Sequence, residues 1–163
     1  MKKIDISGDR FDWIDGNEGC LFISKFSEGE KFVIRAWGLT LLRQLGESEE
    51  DIYLPQTAQV EFEQTHKVKI EYGIYDSTKQ AFLPAGESTE STNLCLLLGK
   101  EDDRKRIKPY LIGGCLGRYI GFGEIEVSCA GAVSLFYDEN QTISAKEYCL
   151  NPGLYALSEI SKK

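Results

Sequence analysis

The chain has 163 residues, 42% of them apolar and 28% charged, enough for one compact domain with a sizeable core and unlike a disordered or membrane-spanning composition. Twenty-six acidic against 19 basic residues leave a net charge of -7, so the chain as a whole repels polyphosphates and anionic lipid, and neither nucleic acid nor a membrane is expected as a partner. Five widely spaced cysteines with no CxxC pair predict free thiols in a reducing compartment, the cytoplasm or, for a viral product, the cytoplasm of its host.

In chain order, Met1 to Arg10 begins basic, but charge interrupts it before an apolar stretch forms, so it does not read as an export signal. Asp12-Trp13-Ile14-Asp15-Gly16-Asn17-Glu18-Gly19 then crowds oxygen ligands around two glycines. Asp12, Asp15 and Asn17 offer the hard donors that calcium prefers, and Trp13 is the kind of ring that covers the apolar face of a pyranose. These four are the candidate ligand-binding residues. The EF-hand order is missing, and the plainer expectation is an Asx turn leading into a strand, with Trp13 in the core.

Gly19 to Lys25 and Lys31 to Trp37 read as strands separated by Phe26-Ser27-Glu28-Gly29-Glu30. Ala36 to Leu45 admits either strand or helix, because Trp37, Leu41 and Leu45 recur at helical spacing and Gly46 suits a C-terminal cap. Gln44 to Gln64 carries six acids and no base, which suits a solvated face or a basic partner.

From Thr57 to Leu83 the alternation is clearest. Ala58, Val60 and Phe62 alternate with Gln59, Glu61 and Glu63, and Val68, Ile70, Tyr72 and Ile74 with Lys67, Lys69 and Glu71, the period of half-buried strands. A three-residue loop, Gln64-Thr65-His66, makes these a hairpin with Phe62 opposite Val68 and Glu61 opposite Lys69, and requires a left-handed His66. The rival is one long bent strand. A turn at Asp76-Ser77-Thr78-Lys79 then pairs Ile74 with Ala81 and Tyr72 with Leu83, completing a meander. His66 is the only histidine, so nucleophilic or metal chemistry that needs one is confined to it, and a turn or edge position is its expected place.

Leu94 to Leu98 reads as a strand buried on both faces, and Lys100 to Lys108, locally basic, as a solvated loop. Arg104 to Tyr119 reads as strand and turn. The glycines of Ile112 to Gly123 lack the GxGxxG and GK[ST] orders, which favours tight turns over a phosphate cradle. Ile125, Val127, Cys129, Val133, Leu135 and Tyr137 share one parity, predicting a long strand from Glu124 to Tyr137 that bends at Ala130-Gly131-Ala132. It contains neither lysine nor proline, and at a sheet edge it would pair with another chain. Glu139-Asn140-Gln141 turns it back so that Tyr137 meets Ile143 and Leu135 meets Ala145.

Turn signals along the whole chain predict an all-β antiparallel β-sandwich over residues 1–163, jelly-roll-like or Greek-key, with at most one or two short helices; a small β-barrel is the alternative. No motif names a reaction or implies a cofactor. The expected function is non-enzymatic protein-protein interaction or assembly, including self-association as in a virion or appendage. The alternatives are a carbohydrate- or calcium-binding module at Asp12, Trp13, Asp15 and Asn17, and a hydrolase built on a pair of acids.

Overall fold

The computed structural model describes residues 1–27, 31–76, 81–84, 94–97, 107–115 and 121–152. In chain order its strands are β1 (Lys2–Asp5), β2 (Ile14–Ser27), β3 (Lys31–Leu41), β4 (Ile52–Leu54), β5 (Ala58–Phe62), β6 (Thr65–Asp76), β7 (Ala81–Pro84), β8 (Leu94–Leu97), β9 (Lys108–Cys115), β10 (Gly121–Cys129), β11 (Val133–Tyr137) and β12 (Ile143–Ser144). Tight 3-10 turns occupy Gly8–Trp13, Arg43–Leu45 and Glu139–Gln141, and a short helix, α1, spans Ala145–Leu150. Among the described residues no helix is long and apolar enough to cross a membrane.

One layer runs β2, β3, β5, β11, β1, antiparallel throughout. β4 follows β5 along the same side of β3, and β12 pairs with β4 as β11 pairs with β5. Each couple therefore behaves as one interrupted strand. The other layer runs β9, β10, β6, with β7 and β8 sharing the far side of β6. The result is an all-β, antiparallel, sandwich-like fold as expected, and among the described residues the strands do not close into the alternative barrel. The inward parities of both layers meet in one core, with Phe32, Ile34 and Leu135 from the first layer against Val68, Ile125 and Val127 from the second.

The hairpin expected between Gln59–Glu63 and Lys67–Glu71 does not form. Phe62 pairs with Val133, not Val68, and Val68 with Val127. The left-handed residue is Gln64, at φ 51°, rather than His66, and there the chain passes from one layer to the other. Charge complementarity misled because it is degenerate: Glu124 and Glu126 flank Ile125 as Glu61 and Glu63 flank Phe62. Lys69 is thus opposite Glu126, and the Lys67 ammonium lies 4.0 Å from the same carboxylate.

The long strand expected from Glu124 to Tyr137 is likewise two strands, β10 and β11, which part at Ala130-Gly131-Ala132 and enter different layers. Each is flanked on both sides, β10 by β9 and β6, β11 by β1 and β5. Neither offers the free edge that association through this segment needs. Instead, β5–β6 and β10–β11 form one bent antiparallel ribbon. Hydrogen bonds cross the bend itself, from the Glu63 N–H to the Ala132 carbonyl at 3.0 Å, from Gly131 to Glu63 at 3.1 Å and from Ala130 to Gln64 at 3.1 Å. The Thr65 hydroxyl, fully buried, donates to the Phe62 carbonyl at 2.9 Å. A left-handed backbone costs a residue with a Cβ about 1 kcal/mol, so Gln64→Gly is expected to gain up to about 1 kcal/mol in urea denaturation. A loss instead would show that the exposed Gln64 side chain, and not its backbone, holds the corner.

The β6–β7 hairpin does form, but with Ile74 opposite Leu83 and Asp76 opposite Ala81. This is two residues from the expected register, and a shift of two keeps every side chain on its face, which alternation alone cannot detect. Its loop lies outside the described residues. Tyr137 pairs with Lys2 and Ile143 with Tyr53, so the expected pairing of Tyr137 with Ile143 and Leu135 with Ala145 is absent. Asp138 caps the 3-10 turn by accepting the Asn140 N–H at 3.0 Å, and this turn carries the chain onward along β4 rather than back along β11. Ala36 to Leu45 resolves as the end of β3 and a 3-10 turn, stopped by Gly46 at φ 76°.

The N-terminal strand is tied to the corner. The Asp5 carboxylate accepts the Ser7 N–H at 2.9 Å and its hydroxyl at 2.6 Å; Ser7 Oγ in turn accepts the Val133 N–H at 2.9 Å. The Ser7 hydroxyl and N–H hold the Asp5 carboxyl below its ordinary range. A depressed folded-state value means a stabilisation that is complete above about pH 4 and lost as pH falls through the folded value. Asp5→Asn is expected to flatten that acid limb when urea midpoints are followed downward from neutral pH; an unchanged slope would assign the acid sensitivity to other carboxylates.

Candidate functional site

The four candidate ligand residues fall on two elements. Asp12, exposed, and Trp13, half-buried, belong to the 3-10 turn Gly8–Trp13; Asp15, exposed, and Asn17 lie on β2. Strand pairing of Asp15 with Thr40 stands where an Asx turn was expected. Trp13, expected in the core, is half-buried and packs against it, and its carbonyl accepts the Leu42 N–H at 2.9 Å. The Asn17 side chain is outside the described part. Among the described residues no three His, Cys, Asp or Glu side chains are grouped as a metal ion would need.

His66 is the second residue of β6, at the register slip where Ser128 pairs with Lys67 and Cys129 with Thr65, on a strand rather than a turn. Its Nδ1 is buried and has no hydrogen-bond partner among the described residues. In the glycine-rich segment, Gly113 and Gly114 pair with Glu124 and Gly123 across β9 and β10. Glycine there serves a ladder; residues 116–120 are outside the description.

A different place gathers uncommitted chemistry. At the end of the first layer, the loop after β3 and the start of α1 line an open cleft of about 370 Å³, with Arg43, Glu49, Glu50 and Asp51 from the loop and Lys146 from the helix. The loop is held by its own backbone: the Arg43 N–H donates to Asp51 Oδ1 at 2.9 Å, and the Ala145 N–H to the Asp51 carbonyl at 3.0 Å. Ser144 caps α1 by accepting the Glu147 N–H at 3.1 Å. Tyr148 stacks on Tyr53 with ring centroids 3.6 Å apart, which covers a tyrosine that is only 1% exposed and stands outside the main core. Both walls are therefore fixed, one by Asp51 and the other by the stacked rings.

The six acids between Gln44 and Gln64 divide accordingly. Glu47 pairs with Lys2 at 2.7 Å and holds that ammonium well above the usual lysine range. Glu61 pairs with Lys31 at 2.7 Å, Asp51 braces the loop, and Glu63 sits in the corner. Glu49 and Glu50 are left exposed in the cleft together with Arg43 and Lys146. None of these four side chains comes within 4.0 Å of an opposite charge among the described residues. The acidic run announced only one sign of this surface. Arg43 precedes it and Lys146 stands on a distant element, so no spacing in the sequence couples them.

Comparison with protein-family models, with curated proteins and with solved structures finds no match.

Proposed function

We propose that this chain is a non-enzymatic β-sandwich that acts by binding protein, and that a second copy of itself docks in the mixed-charge cleft. The observation that carries this reading is the grouping of Arg43 and Lys146 with Glu49 and Glu50, all exposed and none ion-paired among the described residues. A two-fold interface must be self-complementary, each copy offering what the other lacks, and a patch with both signs meets that condition. With a net charge of -7, most other faces of two copies repel. Edge-to-edge pairing is a poorer route. Edge strand β1 carries Lys2, engaged by Glu47 and Glu139, and Lys3, whose ammonium lies 5.4 Å above the Phe136 ring, and lysines on an edge discourage further strand addition.

Light scattering across concentration tests it. The native chain is expected to dimerise at low salt and to dissociate as salt screens the contact. Arg43→Glu with Lys146→Glu, and separately Glu49→Lys with Glu50→Lys, are each expected to be monomeric, while an equimolar mixture of the two variants restores a dimer. A native chain that stays monomeric at every concentration, or charge-reversed variants that associate as the native chain does, would overturn the reading.

A further inference from the structure

The helix α1 has one face against the sheet, one on the cleft and one bare. Tyr148 lies against Tyr53, with ring centroids 3.6 Å apart, while Ala145 and Lys146 line the cleft. Both ends of the helix are closed. Ser144 accepts the Glu147 N–H at 3.1 Å, and the Asn151 N–H reaches the Glu147 and Tyr148 carbonyls at 3.2 and 3.1 Å. The stacked rings and these caps fix how the helix is turned about its axis, so it cannot roll to bury another side chain. Residues three and four apart share a helix face, and Cys149 and Leu150 follow Lys146 at those two spacings. They therefore continue the cleft wall. Both are exposed, Leu150 at 71%.

We propose that the Cys149–Leu150 face of α1 is the apolar part of the contact with the second copy, with Leu150 as its anchor. This rests on the reading that the cleft takes a second copy, and adds what holds that copy there. Exposed ion pairs contribute little on their own, because water and salt screen them. Four exposed charges set which copy docks and in what orientation, and apolar area beside them supplies the holding free energy. Leu150 is the large apolar side chain that the fold leaves beside those charges. A two-fold contact uses the same patch on both copies, so the leucine enters it twice. Leu111, 58% exposed, is the contrasting case: it lies on β9 in the other layer and is not among the residues lining the cleft. Scattered apolar side chains of that kind are ordinary on a protein surface.

Leu150→Ala is expected to raise the dimer dissociation constant about a hundredfold, roughly tenfold for each of the two leucines. The factor should be the same at low and high salt, since no charge changes. The variant should keep the native circular dichroism, because the side chain is exposed, and Leu111→Ala should associate as the native chain does. Alkylation of Cys149 by iodoacetamide, followed by peptide mapping, should be several-fold slower in concentrated native protein than after dilution to the monomer. A native chain that never dimerises would overturn this inference together with the reading beneath it. A native dimer that the cleft charge reversals dissociate but Leu150→Ala leaves intact would overturn this inference alone. So would Cys149 alkylated as fast in the dimer as in the monomer, or an equal loss of association in Leu111→Ala.

Discussion

Gly131→Ala is expected to destabilise the protein by about 2–3 kcal/mol, and Gly131→Val by more, in urea denaturation followed by circular dichroism. A Cβ added at Gly131 would lie 2.6 Å from the Glu63 carbonyl oxygen and 2.8 Å from both the carbonyl carbon and the Cβ of Glu63. Two of these are backbone atoms, so no rotamer change relieves the clash. Nor can the two chains separate, because the Gly131 N–H donates to that same Glu63 carbonyl at 3.1 Å and the Glu63 N–H to Ala132 at 3.0 Å. The cost must appear as broken hydrogen bonds or as a shift of the layer crossing. Gly16 is the control: no atom lies within 4 Å of where its Cβ would be, so Gly16→Ala should change stability by less than about 0.5 kcal/mol. Equal midpoints for the two variants would mean that the ribbon does not cross at Gly131.

Gly131 also shows how far the sequence could be read. The small triplet announced a break in the alternation of residues 124–137, and the break is there. What the pattern could not say is that the two halves belong to different layers, because alternation fixes the face a side chain takes and not the strand beside it. The same holds at Gln64. Alternation on either side located β5 and β6 correctly, yet lysines at 67 and 69 are served equally well by acids at 61 and 63 or at 124 and 126. Local pairs specify partners only where a turn type limits the choice; for the strands around Phe26 to Glu30 the sequence set no register, and the structure pairs Ser27 with Lys31. Trp13, expected in the core, is half-buried and packs against the core's edge, where a large ring still gains from partial burial. The cleft was not legible, since it depends on Ser144–Leu150 folding back over Tyr53.

The ribbon and the cleft are linked by the first layer. β4 continues the line of β5, and β12 that of β11, so the crossing at Gln64 and Gly131 and the cleft wall at Asp51 and Ala145 lie at opposite ends of the same two interrupted strands. A defect at the corner disturbs pairing of Phe62 with Val133 first and reaches the Ile52–Ser144 end only if the layer melts. Corner variants that remain folded should therefore keep their association unchanged, whereas charge reversal in the cleft should remove association and leave stability within about 0.5 kcal/mol, as is usual for exposed charges.

Phe62→Ala is expected to cost about 3–5 kcal/mol, a large share of the roughly 5–15 kcal/mol by which domains are stable. Phe62 is fully buried and is the last residue of β5 before the crossing. Its ring is 5.8 Å from Tyr110 of β9, 6.0 Å from Phe32 of β3 and 6.0 Å from Phe11 of the 3-10 turn. One side chain thus packs on both layers and on the turn between β1 and β2. Removing it opens a cavity whose walls cannot collapse together: Phe32 and Val60 are held by strand pairing, and Tyr110 by β10 and by its hydroxyl, which accepts the Gly8 N–H at 2.9 Å. Phe11 also meets Tyr110, with centroids 5.0 Å apart, so Phe11→Ala and Phe62→Ala remove parts of one cluster. Their double variant should lose less than the sum of the singles, by about 0.5 kcal/mol or more. Phe62→Leu, which keeps most of the volume, should lose less than half as much as Phe62→Ala. If Phe62→Ala instead lost under about 1 kcal/mol, the site would be one that relaxes freely, and Phe62 could not be what joins the two layers.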